Sequence, residues 1–200
     1  MANKFFTGLG VGLSLLAMSA PALAVTCAVP AEIDLLDFDT NRIAKFASAR
    51  NDSIKAAITV ATAAEKKLIT SIVGAATVPV SEIPMGLYKC RTLKLGGDLP
   101  FSAYPYFDCF VSEMSTQIEK LTGSQRFLGT IHDNEDGAVF YKGAISYQTD
   151  DMGFWYGENA ERDQVGCIYQ IAGKSPRYRL ELPLPLYEST FDVIELVPQD

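Results

Sequence analysis

Few groups in this 200-residue chain have the types and spacing that chemistry requires. There is one histidine, His132, so zinc sites built on several histidines are excluded. His132 is followed by Asp133 and lies beyond Ser124, but no Gly-x-Ser-x-Gly elbow surrounds any serine. It therefore reads as a surface histidine near a strand end rather than as part of a triad. Carboxylates are plentiful, yet no spacing marks a pair for acid–base work. Asp133, Asn134, Glu135 and Asp136 before Gly137 resemble a calcium loop only loosely, because the alternating Asp register is absent. A solvated hairpin turn is the simpler reading. Gly96-Gly97 follows a strand-like run with no helix after it, which makes it a turn rather than a phosphate cradle. The expectation is that the chain is not an enzyme and has no catalytic residue, metal or cofactor.

What remains is suited to cross-linking and contact. Cys27, Cys90, Cys109 and Cys167 are even in number and form no Cys-x-x-Cys, which favours disulfides over redox exchange. Cys90 and Cys109 sit in successive strand-like segments joined by the Gly96-Gly97-Asp98 turn, close enough to bridge. Cys27 and Cys167 then pair by elimination, with a buried free thiol at Cys167 as the alternative. Arg91 and Arg126 lie in strands, where each can grip a carboxylate ligand or pair with Asp163 or Glu188 to hold register. Phe154, Trp155 and Tyr156 cluster beside acidic residues within 146–161, a connection too long for a simple turn. Such aromatic clusters are enriched where proteins bind. With Arg91 and Arg126 they form the candidate binding surface. The competing reading makes the segment a lid, with Trp155 as a plug.

The elements that must position these residues fall into two regimes. Residues 30–73 read as helical: Asp39 is placed to cap a helix over about 40–50. The Asn51-Asp52-Ser53 cluster then breaks the chain before a second helix with an apolar stripe from Ile54 to Ile72. Residues 86–198 read as strands. Tyr178, Leu180 and Leu182 alternate with Arg177, Arg179 and Glu181 as in a half-buried strand, and similar runs are expected near 107–111, 116–122, 125–132, 138–145, 164–171 and 190–197. Short connections force antiparallel neighbours, and about eight such strands most economically close into a small barrel, with a sandwich as the alternative. The predicted class is α+β. Residues 25–85 form a helical segment packed on an antiparallel barrel of residues 86–200, and inward residues such as Phe107, Tyr169, Tyr178 and Leu180 fill its lumen.

Residues 1–24 read as a signal peptide. Lys4 precedes an uncharged run from Phe5 to Ala20, and Pro21 and Ala22-Leu23-Ala24 supply the helix break and the cleavage site. Sixteen of the 17 basic residues and all 24 acidic ones lie beyond Ala24, so the exported chain carries a formal charge of −8. That sign argues against a nucleic-acid partner, since phosphate contacts want cations. No later run is long enough to cross a bilayer, so no membrane insertion is expected after cleavage.

Five motifs occur in order: Tyr88-Lys89-Cys90-Arg91-Thr92-Leu93-Lys94-Leu95-Gly96-Gly97, Tyr104-Pro105-Tyr106-Phe107-Asp108-Cys109, Leu121-Thr122-Gly123-Ser124-Gln125-Arg126, Asp163-Gln164-Val165-Gly166, and Glu188-Ser189 with Asp192-Val193-Ile194-Glu195-Leu196. Together they resemble the bacterial exported family called domain of unknown function 4893, over about residue 39 to the C-terminus. The resemblance implies a cysteine pair at Cys90 and Cys109 and says nothing of Cys27 and Cys167. It carries no established activity, so it assigns no functional residue. A small disulfide-pinned barrel is also similar in plan to bacterial lysozyme inhibitors and metalloprotease inhibitors, though neither reactive motif is present. The combined expectation is a periplasmic or secreted protein of a Gram-negative envelope that binds an envelope protein in an inhibitor-like or accessory role. The alternative is a small-ligand barrel with 146–161 as its lid.

Overall fold

Alternation of inward and outward side chains over successive strands is what closes this chain on itself. The computed structural model describes residues 26–112, 116–134, 137–150 and 153–199. The signal and cleavage site, and Glu135 and Asp136 of the acidic turn, lie outside the described residues. Three helices come first, α1 (Asp37–Ala44), α2 (Phe46–Val60) and α3 (Ala63–Ile72). The strands are β1 (Thr77–Val78), β2 (Gly86–Leu95), β3 (Phe101–Ala103), β4 (Phe107–Val111), β5 (Gln117–Lys120), β6 (Gln125–His132), β7 (Val139–Tyr147), β8 (Asp163–Ile171), β9 (Tyr178–Pro183) and β10 (Phe191–Pro198). In spatial order β8, β7, β6, β5, β4, β2, β10 and β9 are each hydrogen-bonded to the next, and β9 returns to β8. The result is a closed antiparallel barrel of eight strands, with β1 added beside β8 and β3 beside β2. The α+β class and the helices packed on a barrel are as the sequence predicts. Closure removes the open edges that a sandwich would leave.

The lumen is packed. Tyr88 meets Tyr178 and Phe127 meets Tyr141 edge to face, with ring centroids 6.3 and 6.1 Å apart. Around them lie Ile118, Ile131, Ile168, Leu180 and Leu196, all buried. Gly129 and Gly143 face each other across β6 and β7, and a Cβ on either would collide with Tyr141. The glycine pair is the space into which that ring fits. Val80 and Ile83, from the segment before β2, plug one end, and the Tyr88 hydroxyl donates to the Pro84 carbonyl at 2.6 Å. Cys90 and Cys109 form a disulfide inside the lumen, across the paired strands β2 and β4.

A second core lies outside the barrel, under the helices. Phe46, Ala57, Ile69 and Ile72 pack there on Leu93, Phe140, Val165, Phe191 and Val193. Tyr169, expected in the lumen, belongs to this outer core, because it alternates with the inward Ile168. Cys27 and Cys167 form the second disulfide, closing a sequence separation of 140 and tying the start of the described chain to β8.

Two local readings are corrected. Asn51-Asp52-Ser53 does not break the helix, since α2 runs straight through it. Asn51 and Asp52 point to solvent, while Ser53 is buried and shares a hydrogen bond with the Thr190 hydroxyl at 2.5 Å. The break falls at Ala61-Thr62, where Thr62 and Glu65 form a reciprocal capping box. Asp39 does not cap α1; it is buried, one residue pair inside the helix, and takes part in the network described below.

The polar side of β9 is the third correction. Arg179 and Glu181 do not face water: each is 0% exposed. Arg179 donates to the carbonyls of Ile72 and Ala75 at 2.8 and 2.9 Å, satisfying the C-terminal end of α3. Glu181 accepts from Arg179 at 2.6 Å and from Arg50 of α2 at 2.8 Å. The helical layer thus covers the polar face of this strand and pairs its charges. A period-two pattern cannot show that cover, because the helices arrive from far away in sequence.

Candidate functional site

The lumen changes character at the end opposite the plug. Here β2, β5, β7 and β9 finish and β4, β6, β8 and β10 begin. The inward positions become Thr92, Lys94, Lys120, Gln125, Gln164 and Asp192. Each is in phase with inward apolar residues of its own strand: Lys94 with Tyr88 and Cys90, Lys120 with Ile118, Gln125 with Phe127, Gln164 with Ile168, and Asp192 with Ile194 and Leu196. Two shallow, adjoining recesses open here, each with a cavity volume of about 20 Å³, and they share Gln125, Ile145, Gln164 and Asp192.

The charges of this mouth are unequally matched. Lys94 Nζ lies 3.2 Å from Asp192 Oδ2 and 3.0 Å from Glu188 Oε2. Burial alone would lower the Lys94 pKa, but these two carboxylates outweigh it and hold the amine above its ordinary value. Asp192 also accepts from the Ser189 hydroxyl at 2.5 Å, and deep burial still raises its carboxyl above the usual range. Lys120 has neither arrangement. It is 9% exposed, makes no hydrogen bond or ion pair among the described residues, and rests its ammonium 4.1 Å from the centre of the Phe107 ring. Burial, with Lys94 and Arg126 adding like charge, pushes it down to about 8. Phe107 can take this place because it lies against Gly123, at φ +94°, where a Cβ would press on the ring.

The rim is built from two connections. In the β9–β10 connection Leu184 and Glu188 both have positive φ, at 47° and 72°, a conformation that costs non-glycine residues energy and is concentrated at functional places. The β7–β8 connection carries the aromatic cluster. Arg162 lies over the rings of Tyr147 and Phe154, at 4.3 and 5.5 Å. The Tyr156 hydroxyl accepts from the Leu36 amide at 3.0 Å and donates to Asp39 at 2.8 Å. Asp39 also pairs with Arg42 at 2.8 Å. Gly157 donates its amide to Asp163, whose carboxyl is raised first by burial and then by the nearby Asp39. Phe154 and Tyr156 are thus held to the scaffold, while Trp155 between them is 41% exposed. Trp155 is no core plug, and none of the three aromatics lines either recess. Residues 151–152 of this connection lie outside the described residues.

The predicted site residues separate. Phe154, Trp155, Tyr156 and Arg126 lie toward the mouth end. Arg126 is exposed, lines the recess that Lys120 also lines and donates to the Gly123 carbonyl, pairing with neither Asp163 nor Glu188. Arg91 is elsewhere, on the outer wall, donating to Glu195 of β10 at 2.7 Å beneath Tyr106. Glu195 also pairs with Arg177 and accepts from Tyr106; these partners overcome its burial and hold its carboxyl below the usual range. Arg91 therefore fixes strand register. His132 ends β6 beside the Thr130 hydroxyl at 2.9 Å, and burial, followed by Lys142, lowers its pKa. The inward polar set at the mouth is what the sequence reading missed. Its signal was present as polar residues in phase with an apolar face.

Among the described residues no group of three or more His, Cys, Asp or Glu side chains is gathered as a metal site, and no helix is long and apolar enough to cross a membrane. No curated protein and no solved structure matches the chain. The family described as Domain of unknown function (DUF4893) matches residues 34–196, most of the chain, and the protein belongs to that family.

Proposed function

We propose that this is an exported, non-catalytic envelope protein, periplasmic or secreted, that binds another protein in an inhibitor-like or accessory role through the loop carrying Trp155. One observation carries the reading: Trp155 is 41% exposed between Phe154, which lies under Arg162, and Tyr156, whose hydroxyl is bonded to Asp39 of α1. A large ring presented on a pinned loop loses little entropy on binding, which is what makes such residues effective contacts. Two disulfides suit an oxidising compartment.

The alternative of a ligand enclosed by the barrel is narrowed by Tyr88, Tyr141 and Tyr178, which occupy the lumen. The recesses left at the mouth are shallow. The test of the main reading is differential capture from an envelope extract. A protein retained by the wild type and lost with Trp155→Ala, at unchanged folding stability, supports it. Identical captures by the two forms overturn it.

A further inference from the structure

Trp155 is not the only apolar side chain exposed at the rim of the mouth. Leu36 and Phe38 at the start of α1 and Leu186 and Tyr187 in the β9–β10 connection are exposed as well. Contacts link these three stretches in one circuit. The Leu36 amide donates to the hydroxyl of Tyr156, the neighbour of Trp155. Arg42 lies 5.3 Å from the centre of the Phe38 ring, donates through Nε to the Leu184 carbonyl at 2.8 Å, and donates through Nη1 to the Asp163 carbonyl at 2.7 Å. Tyr187 reaches back to Glu161 of the β7–β8 connection at 3.3 Å. The positive φ of Leu184 and Glu188 brackets Leu186 and Tyr187. The apolar groups are thus held in place before any partner arrives, which lowers the entropy lost on binding.

The charge of this circuit has one sign. No Lys or Arg occurs in residues 26–41, 153–161 or 184–192. Asp34, Asp37, Glu158 and Glu161 are exposed there and form no ion pair among the described residues. The cations close by are engaged within the fold. Arg42 pairs with Asp39, Arg162 with Asp150, and Lys94 with Glu188 and Asp192, while Lys142 lies 5.2 Å from the centre of the Tyr156 ring. Exposed rings and leucines edged by open carboxylates match a partner that is cationic and apolar together. A guanidinium stacks on a ring and pairs with a carboxylate, and aliphatic side chains cover Leu36 and Leu186. Like charge turns the same surface away from anionic lipid and from a second copy of this acidic chain.

We propose that this rim receives a basic segment of a partner protein, one in which arginines are mixed with aliphatic side chains. The inference rests on the reading that the Trp155 loop binds a protein. It adds the partner's charge, and it brings the start of α1 and the β9–β10 connection into the same surface.

Trp155 is the chain's one tryptophan, so its fluorescence reads occupancy of the rim directly. The probe is an acetylated and amidated pentapeptide of alternating arginine and leucine, added to the exported chain at low ionic strength. It should shift the Trp155 emission saturably, and salt at about 0.5 M should weaken it severalfold, because exposed charges are screened. Asp34→Asn, Asp37→Asn, Glu158→Gln and Glu161→Gln combined should weaken it about tenfold. Glu82→Gln with Asp133→Asn, at the plugged end, should change it by less than about twofold, since those charges lie beyond the screening length. The same peptide with glutamine for arginine tests the charge without altering the protein and should also bind about tenfold more weakly. No saturable shift, equal binding of the glutamine peptide, or an equal loss from the plugged-end variant overturns the inference. So does a Trp155 response to vesicles of anionic phospholipid, or to raised concentration of the chain itself, in place of one to the peptide. Envelope capture that depends on Trp155, together with no response to the peptide, overturns the basic partner and leaves the protein-binding reading standing, so the two failures are distinguishable.

Discussion

The plugged end and the mouth of the barrel are built by the same strands, and several strands change chemistry midway. Along β2 the inward residues run from Tyr88 and Cys90 to Thr92 and Lys94; along β10 they run from Leu196 and Ile194 to Asp192. At the plugged end, rings, aliphatic groups and a disulfide fill the space, and Val80 and Ile83 close it. At the mouth, one ion pair is complete, one lysine has no carboxylate, and two rim residues hold positive φ. The comparison teaches that closing the barrel does not require the mouth's polar residues. The plugged end already supplies a packed lumen, which leaves the mouth free to carry a site.

The largest expected effect is at the mouth itself. Lys94→Met leaves Asp192 buried with only Ser189 to bond it and should cost about 3–5 kcal/mol in urea melts, with much of the loss recovered when Asp192→Leu is added. A cost well under 1 kcal/mol would show the mouth to be as wet as an open surface and would dissolve the contrast between the two ends.

At the plugged end, replacing Cys90 and Cys109 together by serine should cost about 3 kcal/mol, as the chain-entropy account gives for a separation of 19. No loss on differential scanning calorimetry would mean that the reduced lumen packs equally well. Gly143→Ala sets a Cβ against Tyr141 and should cost about 1–3 kcal/mol, with the Tyr141 ring displaced in the NMR spectrum. If the variant is as stable as the wild type, the lumen is looser than its packing implies.

Smaller effects separate the interior of the mouth from its rim. Lys120→Met should stabilise the fold at pH 7, because the charge it removes is largely desolvated and no carboxylate pairs with it. The folded chain releases this proton near pH 8 and the unfolded chain near 10.5. Between those values the unfolded chain binds more protons at this position, so the wild type gains on the variant as pH rises from 8 to 10.5, and the difference is flat below 8. A difference that does not change across that window would place Lys120 in solvent. Trp155→Ala should change stability by no more than about 0.5 kcal/mol, as exposed positions do. A loss of several kcal/mol would make the loop part of the core.

Much of this was legible in the chain alone, for reasons that are local. Alternation along 125–132 and 178–182 marks strands because side chains on a strand point to opposite faces in turn. Short turns make neighbours antiparallel, and enough such strands close into a barrel. The even cysteine count called for two disulfides, and the two that form are the pair expected from strand proximity and the pair left over.

Tertiary structure decided which side of each strand meets what. Arg179 and Glu181 looked like a wet face until helices from residues 37–72 covered them. Tyr169 looked inward, yet its side of β8 is the one the helices cover. Lys94, Lys120 and Asp192 were in phase with the lumen, but only closure brought β2, β5 and β10 to one mouth and left one cation without a carboxylate. Periodicity reports that a strand has two faces. What fills the space beyond each face belongs to residues distant in sequence, and folding alone brings them there.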